Sequence, residues 1–160
     1  METIEIIHLL AVALGLVGMA WIAAGDFRSL KVRNFDVLVL TVIAAVAAAT
    51  DPSGQWQSSL LIASALFAIG FVLWLAKLIG AGDAKFYFPL GLMVGWSGAG
   101  LYVVFLLVTS VAILVLFRIE PWIPQVGGVI RHRLAEIAEK RKVPYGVPMA
   151  ISGILAVLLT

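Results

Sequence analysis

Apolar residues run in long blocks along this chain, separated by short polar segments. Residues 6–25 are apolar apart from His8. A block of about 20 residues spans about 30 Å of hydrocarbon at about 1.5 Å per residue. Arg28, Lys31 and Arg33 follow it. Residues 37–50 carry no charge, and the helix they belong to is expected to begin near Asn34. Asp51-Pro52-Ser53-Gly54 breaks it as a turn. Residues 58–76 form a third uncharged block ending at Lys77. No charge then occurs between Lys85 and Arg118. That stretch is too long for one span, and Gly95-Trp96-Ser97-Gly98-Ala99-Gly100 divides it. We place a short fourth span at about 86–96, a fifth at about 100–117, and a sixth at 147–160. The expected architecture is all-α: one domain over 1–160, polytopic in the membrane, with six transmembrane helices.

Between the fifth and sixth spans, Pro121, Pro124, Gly127 and Gly128 prevent a regular helix at first. Ile130, Leu134, Ile137 and Ala138 then recur at helical spacing among Arg131, Arg133, Glu136, Glu139 and Lys140. That pattern predicts a short helix on the cytoplasmic membrane surface; a solvated loop helix is the plainer alternative.

The basic residues orient the bundle. All 11 Lys and Arg fall in the loops at 26–36, 77–85 and 118–146. Positive loops stay cytoplasmic, so these three loops are expected inside and both termini outside. Glu2 and Glu5, with no Lys or Arg, precede the first block. A cleaved signal peptide has the opposite flank, so this block is expected to be a retained helix.

Composition agrees with the pattern. The chain is 62% hydrophobic and 12% charged, with a mean hydropathy of +1.10; soluble domains are about half apolar and a quarter charged. There is no cysteine, hence no disulfide and no thiolate nucleophile or ligand, and only His8 and His132 are present. No metal, cofactor or nucleic-acid partner is expected. His8, Trp21, Trp56, Trp74, Trp96 and Trp122 read as interfacial or packing residues.

Two acids stand out. Asp83 lies in Gly80-Ala81-Gly82-Asp83-Ala84-Lys85, and Asp26 closes the first block in Gly25-Asp26-Phe27-Arg28. Charge so near hydrocarbon is costly and often functional. The topology puts both acids at cytoplasmic helix ends. Two carboxylates brought together share a proton. The ionised one can then take a proton from water while the protonated one polarises a carbonyl, as in aspartic proteases. Gly80 and Gly82 are expected to let the backbone leave helical geometry and approach a substrate strand. The plainer alternatives are that Asp83 caps the fourth helix and that Asp26 pairs with Arg28.

The Gly80–Lys85 segment resembles the Gly-x-Gly-Asp-x-Lys signature of the type IV prepilin peptidases. Asp26 and Arg28 followed by Asn34 resemble their first catalytic motif, although Arg33 stands where the family has Pro. Val143-Pro144-Tyr145-Gly146 resembles the segment that opens their last helix. The resemblance implies an intramembrane aspartic endopeptidase with Asp26 and Asp83 as its catalytic pair. Gly80, Gly82, Lys85, Asn34, Pro144 and Gly146 would be supporting motif residues. The implied substrate is a prepilin, with a basic leader before an apolar helix, cut at the cytoplasmic face of the inner membrane. Lipid and other pilus assembly proteins are the further implied partners. Without the cysteine-bearing N-terminal segment of larger members, N-methyltransferase activity is not expected. Small members of this kind are similar to the peptidases of Flp, or tight-adherence, pili. Because the leader and the loops are both basic, apolar packing of the substrate helix is the expected source of affinity, with Asp36, Glu120, Glu136 and Glu139 as candidates to offset repulsion. A small transport or assembly protein using the same acids for proton or cation passage is a second reading. A purely structural membrane subunit, its acids paired with Arg28 and Lys85, is a third.

Overall fold

A computed structural model describes residues 2–119 and 144–160, and every regular element among them is an α-helix. The predicted surface helix lies outside the described residues. Helix α1, Thr3–Ser29, opens with the Glu2 backbone N–H donating to the Glu5 carboxylate at 3.1 Å. It ends at Leu30, whose left-handed φ of 52° stops the helix. The Leu30 N–H still reaches the Asp26 carbonyl at 2.7 Å. The helix therefore continues about one turn past Asp26, further than the apolar block alone implied.

Helix α2, Asn34–Ala49, starts at the expected residue. The turn after it is held by Asp51, whose carboxylate accepts the Ser53 N–H at 2.9 Å and the Ser53 hydroxyl at 2.6 Å. Gly54 completes it with a φ of 68°, a conformation glycine adopts freely. Helix α3, Trp56–Leu75, follows, and the chain leaves it through Lys77 at a φ of 60°.

Helix α4, Ala81–Ile119, is 39 residues long and is broken at Gly95, where φ is 62° and ψ is −169°. Its two arms, 81–94 and 96–119, run in opposite directions, as their contacts with helix α5, Gly146–Leu158, show. On the first arm, Asp83 shares a cavity with Tyr145, and Leu90 packs at Gly153. On the second arm, Gly98 sits by Thr160, while the Thr109 hydroxyl pairs with the Ser152 hydroxyl at 2.9 Å. The order along α5 is thus reversed between the arms, and α5 contacts both. The reversal falls inside the glycine cluster predicted to divide this stretch. Such a φ is accessible to glycine and strained for a side-chain-bearing residue.

Among the described residues, three helices are long and apolar enough to cross a membrane: Thr3–Ser29, Trp56–Leu75 and Ala81–Leu116, the last counted across the bend. Helices α2 and α5 are shorter apolar helices. The outer surface matches this reading. Val17, Trp21, Phe35 and Leu107 are 65%, 64%, 66% and 67% exposed. Water would not tolerate so continuous an apolar exterior, whereas lipid does.

The core is built where α4 meets its neighbours α2, α3 and α5, with α1 closing against α2 and α5. Met19, Phe86, Leu90, Tyr102 and Met149 are fully buried there. Small residues let the helices approach, because hydrocarbon provides no hydrophobic drive and close van der Waals contact must replace it. A Cβ on Gly91 would collide with the Ala63 Cα and lie 2.7 Å from the Ala63 nitrogen. Those are backbone atoms, so they cannot rotate away. Gly91→Val should therefore push α3 off α4 and cost about 1–3 kcal/mol. Thermal unfolding in detergent should show a lower midpoint for this variant than for wild type.

Candidate active site

Three stretches distant in sequence supply the site: the end of α1, the start of α4 and the start of α5. Asp26 is 4% exposed. Its carboxylate accepts the Gly146 N–H at 2.9 Å and is also bonded by the Val147 backbone. The first turn of α5 is therefore aimed at this acid. Free N–H groups and the helix dipole make such a terminus a favourable seat for an anion. Gly146 is required there by space. A Cβ on it would sit 2.9 Å from the Asp26 Oδ2 and 3.1 Å from its Cβ and Cγ.

Asp83 stands in the first turn of α4 and is partly exposed. Its Oδ2 accepts the Gly80 N–H at 3.2 Å. The capping role foreseen as the plainer reading is thus present, and it leaves the other carboxylate oxygen uncommitted to that bond. Gly80 lies outside the helices, as expected, but Gly82 does not act as expected. Neither has a positive φ, and α4 begins at Ala81, so Gly82 and Asp83 are helical. What Gly82 provides is room: a Cβ there would lie 2.9 Å from both the Cβ and the carbonyl oxygen of Val32. Its missing side chain lets the α1–α2 loop press against the start of α4.

That close approach has a polar counterpart. The Lys85 ammonium donates to the Asn34 side-chain oxygen at 3.1 Å, joining the starts of α4 and α2. Lys85 and Asn34 are both exposed, so the bond contributes orientation more than stability. Pro144 is buried, and its carbonyl accepts the Val147 N–H at 3.2 Å as α5 begins.

The result is one cavity of about 510 Å³ with both acids in its wall, together with Val32, Lys77, Gly80 and Tyr145. Asp83 is near enough for its charge to be felt at Asp26. Asn34, Lys85 and Pro144 do not line the cavity, and Gly146 shapes it from behind Asp26. Sequence reasoning assigned no role to Tyr145 or Val32. Tyr145 lies in the quoted Pro-Tyr-Gly segment and could have been singled out there. Val32 carries no signal, since its part is played by its Cβ and carbonyl oxygen, atoms that nearly every residue has. Among the described residues no cluster of three or more His or acidic side chains could hold a metal.

A second cavity of about 340 Å³ sits at the opposite end of the bundle, lined by His8, Asp51, Gln55, Gly95 and Thr160 among others and, among the described residues, by no Lys or Arg. The His8 Nδ1 is 3.0 Å from the Ala47 carbonyl oxygen, a packing role in line with the sequence reading.

The family model described as the type IV leader peptidase family matches residues 13–117, a stretch that includes both Asp26 and Asp83. No curated protein and no solved structure matches the chain.

The glycines flanking Asp26 give a contrast that tests this geometry. Nothing lies within 4 Å of a Cβ on Gly25. Gly25→Ala should raise stability by up to about 1 kcal/mol through helix propensity. Gly146→Ala forces the buried carboxylate aside and should lower stability by about 1–3 kcal/mol. Paired thermal melts in detergent should move in opposite directions.

Proposed function

Because this chain belongs to the type IV leader peptidase family, we propose that it is an aspartic endopeptidase whose catalytic pair is Asp26 and Asp83. The observation that carries the proposal is the single cavity bordered by both carboxylates, within the part of the chain that matches the family. With no cysteine in the chain, a thiolate nucleophile is excluded. Paired carboxylates need no covalent intermediate.

One carboxylate is ionised and takes a proton from a water held between the two. The hydroxide so formed attacks the scissile carbonyl carbon while the protonated carboxyl donates to the carbonyl oxygen. Collapse of the tetrahedral species breaks the C–N bond, and a proton passes to the leaving amine. The main-chain donors of α5 fix the orientation of Asp26 through this cycle. Holding a reacting group in one geometry lowers the entropic part of the barrier.

The substrate in this reading is a prepilin of the Flp type, cut between its basic leader and its apolar helix. The bond is cut at the cytoplasmic face of the inner membrane. Arg28, Lys31, Arg33, Lys77 and Lys85 all belong to the segments around the acids' cavity, while among the described residues no Lys or Arg lines the far one. Positive residues mark the cytoplasmic side. The six-span topology belongs to the same proposal. The Gly95 reversal supplies the extra crossing, since an unbent α4 would run about 58 Å, nearly twice the hydrocarbon thickness.

Membranes containing the wild-type chain should shorten an added prepilin. Asp26→Asn and Asp83→Asn should each reduce cleavage by at least about 10³-fold while the protein remains in the membrane at wild-type amounts. Immunoblots of substrate and enzyme read both quantities. Retained processing in either variant would remove the dyad.

A further inference from the structure

The face formed by α1 and α2 carries a groove of about 300 Å³ that is separate from both end cavities. Its walls are Leu14, Val17, Trp21, Phe35 and Val39. Gly18 lies between them, and a Cβ there would approach the Leu40 side chain to 3.0 Å. On each helix the groove extends over eight residue steps, from 14 to 22 and from 35 to 43. That is about 12 Å, or roughly two turns of a helix.

Two observations separate this groove from ordinary lipid-facing surface. The first is continuity. Ile22 lines the groove and lies one turn before Asp26, and Phe35 follows closely on Val32, which lines the acids' cavity. The groove therefore ends about one helical turn short of Asp26, next to the Val32 wall of the acids' cavity. The second is charge. Among the described residues, Asp36 is the only ionisable one in its lining. It is half-buried and has no hydrogen bond or ion pair among the described residues. An acid in the first turn of α2 is favoured by the helix dipole. The dipole does not account for its placement at the mouth of an apolar groove. A basic side chain at the end of an apolar helix would complement it.

We infer that the α1–α2 groove seats the apolar helix of the substrate, with Asp36 receiving a basic residue at the junction of leader and helix. This rests on the peptidase reading above and adds to it where the substrate lies. A helix laid along the groove with its basic end at Asp36 delivers the junction to the cavity of Asp26 and Asp83. Apolar contact with Trp21, Phe35 and Val39 supplies affinity, and the single acid sets the register.

The test uses the full chain in phosphatidylcholine vesicles. The probe is a synthetic peptide with a polylysine leader and an apolar helix of about 20 residues. A photoreactive benzoylphenylalanine replaces Val39 in one variant and, in another, Leu107, an apolar residue of α4 that is also exposed. Crosslinking from position 39 and not from position 107 is the expected result. Asp36→Lys should raise KM for the probe roughly fivefold with kcat little changed. A probe whose leader carries Glu beside the helix should recover that loss. Equal crosslinking from both positions would mean that the groove holds lipid and would overturn the inference. Cleavage by wild type with position 39 silent would overturn it too, while leaving the peptidase reading intact. Crosslinking at position 39 without cleavage would sustain the groove as a helix site and sink the peptidase reading.

Discussion

The bond from the Gly146 main chain to the Asp26 carboxylate joins residues 120 positions apart and is buried. The arrangement of the site depends on it. A carboxylate this enclosed needs donors, and unpaired polar groups at membrane depth cost several kcal/mol. The donors come from the opening turn of α5, so that helix cannot slide or rotate without leaving the acid unsatisfied. The packing of Gly153 on Leu90 and Met19 then fixes α5 against α4 and α1. A local polar requirement thereby determines how three helices meet.

The same requirement divides labour between the acids. Asp26 is enclosed and held by backbone, whereas Asp83 is partly open and bound to Gly80 in its own helix turn. One is fixed by tertiary structure and the other by local structure. They share a cavity because Gly82 lets the α1–α2 loop lie against α4, and because Lys85 reaches Asn34 across the gap. The signature glycine thus acts through absent volume. Removing it would separate the loops without touching either carboxylate.

Much of this was legible in the chain because it follows from local pattern. Blocks of apolar residues located the helices, Asp51 to Gly54 gave a turn with side-chain reasons for turning, and the glycine cluster after Val94 marked the reversal. The acids were legible because charge in such a sequence has few inexpensive places. The donors to Asp26 were not legible. They are main-chain groups, identical at every residue but proline, and no side chain advertises which N–H will arrive. The role of Gly82 was misread for a related reason. A glycine in sequence suggests freedom of backbone, and only the neighbouring Val32 shows that the need was for space. The start of α4 at Ala81 was missed because Asp83 and Lys85 interrupt the apolar block without interrupting the helix. Hydropathy and helicity part company at such boundaries.

The hairpin of α4 about Gly95 also bears on how the protein is made. Helix α5 lies against both arms, yet it leaves the ribosome after them. With 13 residues it is short for independent membrane insertion. Its docking against both arms can only follow their synthesis, which makes it a late step of biogenesis. Until then, a nascent chain displays both acids but lacks the amides that orient Asp26. Completion of the site is in this way deferred until translation has passed the final glycine-led turn.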